Sequence, residues 1–148
     1  MVRIDHEQED ARGQTDEQRE YIESITKAAE STFWGYLGCK LEHAGSDEVV
    51  VSLDPLPHHL NLMGIVHGGV LSSLLDNTMG VAVMLKYPNR PSVTSNLNVH
   101  FVMPAKQEYL TVTGKIVHET GRSITAESRI TNSRGELIAL STASFRLK

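Results

Sequence analysis

The residues whose types and spacing could support a reaction are concentrated in one apolar stretch, residues 61–85. The tripeptide His67-Gly68-Gly69 stands where a loop gives way to a predicted helix, and a single carboxylate, Asp76, interrupts the apolar run that follows. Carboxylates are seldom fully buried unless they are paired or functional. Small residues at a helix start leave the first N–H groups open, and those groups favour negative charge. The stretch therefore combines a carboxylate with a site suited to a developing negative charge.

The spacing of His67 and Asp76 bears on how they would cooperate. They are nine residues apart, which on a helix is about two and a half turns and roughly 13 Å of rise. Their side chains then point to opposite sides and do not meet within one chain. A two-fold dimer with antiparallel helices would bring His67 of one chain near Asp76 of the other. If the two residues act together, we expect them to do so across a subunit interface.

The helix that carries Asp76 is predicted to be buried. Apolar residues occupy nearly every side of it, so no wide polar face remains, and we expect burial all round. The residues concerned are Val70, Leu71, Leu74, Leu75, Val81, Ala82, Val83 and Leu85.

The N-terminal part divides into a tail and a helix. Residues 1–17 are polar and aperiodic, which predicts a disordered tail before a single domain over residues 18–148. Thr15 and Gln18 have capping-box spacing, and an apolar stripe predicts a helix that ends near Gly35. We interpret this stripe as core packing rather than a ligand site. Its members are Tyr21, Ile22, Ile25, Ala28, Ala29 and Phe33.

The rest of the chain is predicted to be strands joined by turns. Two short strands precede the central helix and four longer ones follow it; Glu119-Thr120-Gly121 is a tight hairpin signal. Sequential hairpins imply an antiparallel sheet, and one sheet around one apolar helix is an α+β domain. The predicted strands cover residues 38–44, 48–53, 92–103, 108–119, 122–133 and 136–147.

Composition excludes several classes of protein. The chain has 148 residues, 40% of them hydrophobic, and a formal charge of -4, which fits one globular domain. The sequence has no basic stripe with interleaved aromatics, the pattern that would indicate nucleic-acid binding. The apolar run, broken by Asp76 and serines, indicates a core helix rather than a membrane span. The charged N-terminal segment lacks a secretory pattern, so we expect a cytoplasmic location.

Cysteine and histidine usage argues against redox and metal chemistry. Cys39 is the only cysteine; it excludes an intrachain disulfide and is interpreted as a small apolar filler. His58 and His59 are adjacent but project differently, and no cysteine or acidic cluster accompanies them, so we expect no metal site.

A buried helix that starts at His-Gly-Gly and a meander of antiparallel strands resemble the hotdog-fold thioesterases. The resemblance is to the PaaI-like acyl-CoA thioesterases of the phenylacetic-acid-pathway type. It rests on Asn61, the His67-Gly68-Gly69 tripeptide and Asp76 at these intervals, together with the segment over residues 98–105. It covers residues 35–147 and implies a hotdog fold, an antiparallel sheet wrapped around one long central helix. The N-terminal helix predicted from the capping box and apolar stripe lies outside the resemblance and is extra to that fold.

The resemblance implies roles for the residues at the helix start. The backbone N–H of Gly68 would stabilise the thioester oxyanion. Asp76 of the partner chain would be the general base or the nucleophile, and Asn61 and His67 would position substrate and water. The implied substrate is an acyl-CoA, and the implied assembly is a dimer or a dimer of dimers without a cofactor.

The same resemblance implies a hydroxyl on the strand after the helix. Thr94 falls where related enzymes place a residue that holds the attacking water. Ser95 stays an alternative, because a one-residue shift turns a strand residue to the opposite face. We also assign Gly69 and Ser95 to substrate binding.

Purely structural roles remain open for the same residues. Asp76 would then bond a polar group at the dimer seam, His67 would be a helix cap, and Asn61 a turn residue. Gly69 and Gly80 would be packing glycines that allow the helix to approach the sheet or a partner chain closely.

Two other functions and the details of substrate binding also stay open. A hotdog hydratase or dehydratase would use a histidine and a carboxylate on an acyl thioester, and a non-catalytic protein would only bind acyl-CoA. Candidate acyl-pocket residues are Met63, Leu71, Met79 and Met84, and candidate partners for the CoA phosphates are Arg90, Lys106, Arg122 and Arg134.

Overall fold

The computed structural model describes residue 11 and residues 13–148. Within them the chain forms three α-helices, a short 3-10 helix at Pro57–His59 and six strands. In chain order the elements are α1 (Asp16–Ala29), α2 (Phe33–Leu37), β1 (Lys40–Ala44), β2 (Val49–Leu53), α3 (Gly68–Lys86), β3 (Ser92–Phe101), β4 (Leu110–Thr120), β5 (Ser123–Thr131) and β6 (Leu137–Leu147). Each predicted strand end lies within two residues of the observed one.

The predicted disordered tail falls mainly on residues 1–10 and 12, which lie outside the described residues. Asp16 and Glu17, at the end of that predicted tail, form the first turn of α1. The predicted capping box is present: the Thr15 hydroxyl accepts from the Gln18 N–H, and the Gln18 side chain accepts from the Thr15 N–H.

The six strands form one antiparallel sheet in the order β1-β2-β4-β5-β6-β3, and α3 packs against one face of it. Alternate residues of the central strands point to α3 and are buried, such as Val112, Ile124 and Ile130. At Gly114 of β4 the helix comes so close that a Cβ atom would lie 2.9 Å from Cγ2 of Thr78. The α+β hotdog fold with an extra N-terminal helix is therefore confirmed.

The expectation that α3 is buried all round is wrong within one chain. Its buried residues lie on one stripe, because a single sheet covers a single side. That stripe comprises Leu71, Leu74, Leu75, Thr78, Met79, Ala82 and Val83. Gly69, Val70, Ser73 and Asp76, on the other side, are half-buried or exposed. Within the described part of the chain α3 is also the one helix long and apolar enough to span a bilayer.

The single N-terminal helix predicted to reach Gly35 is instead two helices. The Thr32 hydroxyl donates to the Ala29 carbonyl at 2.7 Å, and Thr32 itself is extended, which is how such side chains compete with helical backbone bonding. At Gly35 a Cβ atom would lie 1.9 Å from the carbonyl oxygen of Glu30. The glycine thus permits α2 to fold back on the end of α1.

Candidate active site

Asn61 closes the loop that leads into α3. Its Oδ1 accepts from the N–H groups of Met63 at 2.9 Å and Ile65 at 3.3 Å, and its own N–H donates to the Ile65 carbonyl at 2.8 Å. An isolated bridge between Leu60 and Val66 closes the base of the loop. The side-chain oxygen of Asn61 is therefore used within the turn, and its Nδ2 is the group left to donate to a ligand.

His67 is the N-cap of α3. Its Nδ1 accepts from the Gly69 N–H at 2.8 Å, so the neutral ring carries its proton on Nε2, on an exposed side chain. The His67 N–H donates to the His59 carbonyl at 2.9 Å, which fixes the approach to the helix. A Cβ atom on Gly69 would lie 2.9 Å from Nδ1 of His67. The cap ring, rather than packing against the sheet, is thus what excludes a side chain at Gly69.

Gly68 is the first residue of α3, and its N–H donates to no group among the described residues. A Cβ atom there would lie 3.4 Å from the Phe101 ring of β3. Because the His67 side chain satisfies the N–H of Gly69, Gly68 retains an open donor at the positive end of the helix dipole.

Asp76 and Thr94 meet within one chain. The Thr94 hydroxyl, on β3, donates to Oδ1 of Asp76 at 2.9 Å. Asp76 is half-buried and Thr94 is exposed. Since the bond uses one carboxylate oxygen, the other remains available as an acceptor.

A β-bulge separates the two hydroxyls that the sequence left as alternatives. Thr94 pairs with Phe145 of β6, whereas Asn96 pairs with Ser144, so Ser95 is the extra residue. The bulge places the Ser95 hydroxyl on the Ser144 carbonyl at 3.1 Å, away from Asp76. In this chain Thr94, and not Ser95, contacts the carboxylate.

Asp76 and Thr94 lie in the wall of a cavity of about 670 Å³ between α1, α2 and α3. Its remaining walls are mostly apolar, with aromatic side chains on several sides. They include Tyr21, Ile25, Ala28, Ala29, Trp34, Leu41, Gly80, Val81, Met84, Tyr87 and Phe145. Such a cavity with a few polar groups at one side is typical of a ligand site.

Polar groups near the cavity have shifted pKa values. Burial raises the pKa of the Cys39 thiol, and its Sγ receives the Asn77 amide at 3.7 Å. This supports a structural role for Cys39, because a buried neutral thiol is a poor nucleophile. A hydrogen bond with Glu119 raises the pKa of Tyr87, which lines the cavity wall.

The site residues expected from the sequence fall into two groups in one chain. Asp76 and Thr94 line the cavity, whereas Asn61, His67 and Gly68 lie at the start of α3 and do not. The separation agrees with the roughly 13 Å of helix rise between His67 and Asp76. A single chain therefore carries the carboxylate and the open N–H at the helix start in separate places, which we name the carboxylate half-site and the oxyanion half-site after the roles expected from the sequence.

The interpretation of the α1 stripe as core packing is wrong. No residue of α1 is buried, and Tyr21, Ile25, Ala28 and Ala29 line the cavity instead. Sequence reasoning also missed Trp34, Asn77 and Tyr87 as cavity residues. Periodicity could not have identified them, because it marks an apolar face without showing whether that face meets a core or a cavity.

The proposed acyl-pocket residues lie in different parts of the fold, and the candidate partners for the CoA phosphates stay predictions. Of the four proposed acyl-pocket residues only Met84 lines the cavity; Leu71 and Met79 are in the core, and Met63 is 82% exposed. Arg134 is ion-paired with Glu108 and Glu136, and Arg90 lies in the cavity wall near Tyr87.

His59 has a structural role. Nδ1 accepts from the Leu56 N–H at 2.9 Å, and Nε2 is 2.7 Å from the Leu37 carbonyl, to which it donates. Burial lowers its pKa from the ordinary value of 6.5. With both nitrogens bonded to backbone, His59 has no lone pair free for a metal.

Comparison with known proteins gives a family match. The model of the family described as "Thioesterase superfamily" matches residues 63–139. Acyl-coenzyme A thioesterase 13 of Homo sapiens is 30% identical over 125 residues, covering 82% of this chain and 87% of that protein. A putative esterase of Saccharolobus solfataricus is 27% identical over 124 residues, covering 84% and 88%.

Solved structures have a similar fold. A mutant of the phenylacetic acid degradation protein PaaI from Thermus thermophilus is 26% identical with a TM-score of 0.71, covering 77% of this chain and 96% of that one. The PaaI protein of E. coli, 20% identical, covers 88% of this chain and 95% of its own, with a TM-score of 0.79. The second likeness concerns the fold alone.

Proposed function

The chain belongs to the thioesterase superfamily, and from that membership and the site geometry we propose that it hydrolyses acyl-CoA thioesters with Asp76 as the base. The observation that carries the proposal is the hydrogen bond of Thr94 to Asp76 in the wall of an apolar cavity. The bond fixes the orientation of the carboxylate beside a space that suits an acyl group. The relatives named acyl-coenzyme A thioesterase support the choice of substrate.

The proposed reaction uses the two half-sites together. Asp76 takes a proton from a water molecule, whose oxygen forms a bond to the thioester carbonyl carbon while the carbonyl π electrons move to oxygen. The Gly68 N–H donates to that oxyanion. When the carbonyl re-forms, the C–S bond breaks and CoA leaves as a thiolate, which then takes up a proton. In the other use of the same carboxylate, Asp76 attacks the carbonyl carbon directly and the C–S bond breaks to release the CoA thiolate, and water then hydrolyses the resulting mixed anhydride.

The remaining residues of the helix start have supporting roles in this proposal. His67 presents Nε2–H and Asn61 presents Nδ2–H, both as donors toward substrate or water. Thr94 holds Asp76 and, through it, the attacking water. Gly69 lets the cap ring of His67 keep its place.

We propose that the oxyanion half-site comes from a second copy of the chain. β3 is a ten-residue strand at the edge of the sheet, paired only with β6. Its positions facing α3 include Leu97 and Phe101, which are 36% and 57% exposed. Long apolar edge strands invite pairing with another chain. Antiparallel pairing of two β3 strands about a two-fold axis would cover this surface and the open face of α3.

Release of CoA thiol tests the proposal. Asp76→Asn keeps the size of the side chain and an oxygen for the Thr94 bond, but cannot take a proton. We expect it to lower turnover of acyl-CoAs by about 10²–10⁴-fold. Asp47→Asn, in the exposed turn between β1 and β2, is the matched control and should keep the wild-type rate. A near-normal rate for Asp76→Asn would remove this carboxylate from the mechanism.

The hydratase alternative is less well supported. It would need His67 as a base, but with Nδ1 engaged as the helix cap the neutral ring carries its proton on Nε2 and has no free lone pair. If acyl-CoAs bind without releasing thiol, a hydratase or a non-catalytic binding protein would become the better interpretation.

A further inference from the structure

The cavity beside Asp76 has an unusual roof. The apolar face of α1 lies over it, yet no residue of α1 is buried. The Tyr21 hydroxyl of α1 donates to the Met84 carbonyl of α3, and at 3.4 Å this hydrogen bond is long. Burial of its apolar face normally stabilises a surface helix, and α1 lacks much of that burial because its apolar face lies over empty space. An apolar occupant of the cavity would restore that burial.

The floor of the cavity is open because residue 80 is glycine. Gly80 follows Asp76 by four residues, so both lie on one face of α3. A Cβ atom on Gly80 would meet only the Phe145 ring, at 3.9 Å, which is ordinary contact. Its φ is not positive. Neither close packing nor backbone conformation therefore requires glycine there, although glycine within a helix is less stable than alanine. The interpretation of Gly80 as a glycine that lets the helix approach the sheet closely is wrong, whereas close approach to a partner chain stays a prediction.

The walls indicate what would fill the space. Aromatic side chains from three elements line it, Trp34 of α2, Tyr87 at the end of α3 and Phe145 of β6, and Met84 adds a flexible thioether. The polar groups Asp76 and Thr94 lie together, so an occupant would meet them at one place and mostly apolar surface elsewhere. About 670 Å³ is far more than an acetyl group needs.

We propose that the acyl group of the substrate lies in this cavity, beneath α1, and that the space left at Gly80 makes the enzyme specific for bulky apolar acyl groups, aromatic or of medium chain length. The inference rests on the proposed thioesterase function. The thioester carbonyl lies at the Asp76 end, and the acyl group runs past Gly80 toward Ile25 of the roof. In this arrangement α1 is a specificity element rather than part of the core.

The test compares kcat/KM for acetyl-, octanoyl- and benzoyl-CoA in wild type and variants. Wild type should prefer the two larger thioesters by about 30-fold or more, because they bury several more apolar carbons. Gly80→Leu fills the floor and should lower the ratio of large to small acyl groups by about 30-fold, mainly through KM; Gly80→Ala should have a smaller effect in the same direction.

The roof provides a matched pair of variants. Ile25→Ala removes apolar surface from the cavity wall, so KM for octanoyl-CoA should rise by about fivefold to tenfold. Ile22→Ala makes the same change on α1 at a residue that does not line this cavity. It should leave KM for octanoyl-CoA as in wild type. The Ile25 variant keeps the test decisive if Gly80→Leu does not fold.

Failure of the two proposals would look different. No thiol release from any of the three thioesters by wild type would overturn the thioesterase function itself. Hydrolysis of all three with the same preference in wild type, Gly80→Leu and Ile25→Ala would overturn the acyl cavity alone. A changed molecular mass for the Gly80 variants with an unchanged preference would show instead that a partner helix packs on Gly80, which also overturns the inference.

Discussion

At the scale of single residues, two neighbouring N–H groups at the start of α3 differ in whether they are hydrogen-bonded. The His67 ring satisfies the N–H of Gly69, and the N–H of Gly68 stays open among the described residues. The cap thus stabilises the helix without consuming the donor that the proposed chemistry needs. Two adjacent glycines allow this, since a side chain at Gly69 would collide with the ring.

Replacing Gly68 by proline, which has no backbone N–H, tests this role. Proline is tolerated at the first position of a helix, and His67 already has the extended conformation that precedes proline well (φ -62°, ψ 137°). We expect Gly68→Pro to fold and to lower kcat by about 10²–10³-fold, because the oxyanion loses its donor. The measurement is thiol release, with thermal unfolding as a check of the fold.

Gly68→Ala is the control for that variant. It keeps the N–H, and its Cβ would contact the Phe101 ring at 3.4 Å, which the exposed ring can relieve by a small movement. It should retain most of the activity. Equal losses in the two variants would mean that space beside Phe101, and not the N–H, is what matters.

At the scale of elements, His59 joins two segments that are distant in the chain. Its ring bonds the backbone of Leu37, at the end of α2, and of Leu56. Its carbonyl accepts the N–H of His67, the cap of α3. The loop before α3 is therefore tied to the end of α2 through one buried neutral imidazole.

This arrangement predicts acid sensitivity. Burial lowers the pKa of His59 in the folded state below its ordinary value of 6.5. The neutral ring thus contributes stability that is complete above pH 6.5 and is lost as the pH falls through the folded pKa, where the unfolded chain binds the proton more readily. We expect the free energy of unfolding, measured by denaturant at fixed protein concentration, to fall from pH 7.5 to 5.

His59→Gln should be less stable at neutral pH by about 1–3 kcal/mol, because a flexible amide replaces the rigid ring that bonds the Leu56 N–H and the Leu37 carbonyl together. It should also lose less stability than wild type on acidification. His118→Gln, at an exposed position on β4, should keep the wild-type profile. Parallel profiles for wild type and His59→Gln would exclude His59 as the source.

At the scale of the whole molecule, the residues of the proposed site lie in two separate places. One end of α3 carries the open donor and its middle carries the carboxylate, on sides that a single chain cannot bring together. The edge strand β3 and the open face of α3 lie beside both half-sites. These features support the proposed dimer in which each site draws on two chains.

A charge on the edge strand should separate the subunits. Leu97→Lys would place like charges near each other on the two paired β3 strands and bury them without partners. We expect the molecular mass by light scattering to fall to that of one chain, with loss of thiol release. Leu56→Lys, the same change at a residue 52% exposed in the loop after β2, should alter neither. A Leu97→Lys protein with unchanged mass would exclude β3 from the interface.

Hybrid dimers test the division of the site. Asp76→Asn and Gly68→Pro subunits should each be nearly inactive alone. After subunit exchange, half of the dimers would carry one intact site of two, so about a quarter of the wild-type activity should return. Exchange demonstrated by mass spectrometry without any return of activity would show that each site lies within one chain.

The sequence by itself determined the elements and the fold class. Capping signals placed α1, the His67-Gly68 step placed the start of α3, and turn residues with two-residue alternation placed all six strands. These features depend on hydrogen bonds and side-chain directions among near neighbours, so they can be predicted from local sequence. The break between α1 and α2 was missed, because the collision at Gly35 appears only when the chain folds back.

Only the tertiary structure decided what surrounds Asp76. The bulge at Ser95 directs Thr94 to the carboxylate, and the empty space at Gly80 separates α1 from the core. A bulge changes the strand register that alternation assumes, and an apolar helix face looks the same in sequence whether it meets a core or a cavity. Both outcomes depend on contacts between residues far apart in the chain, which no local pattern contains.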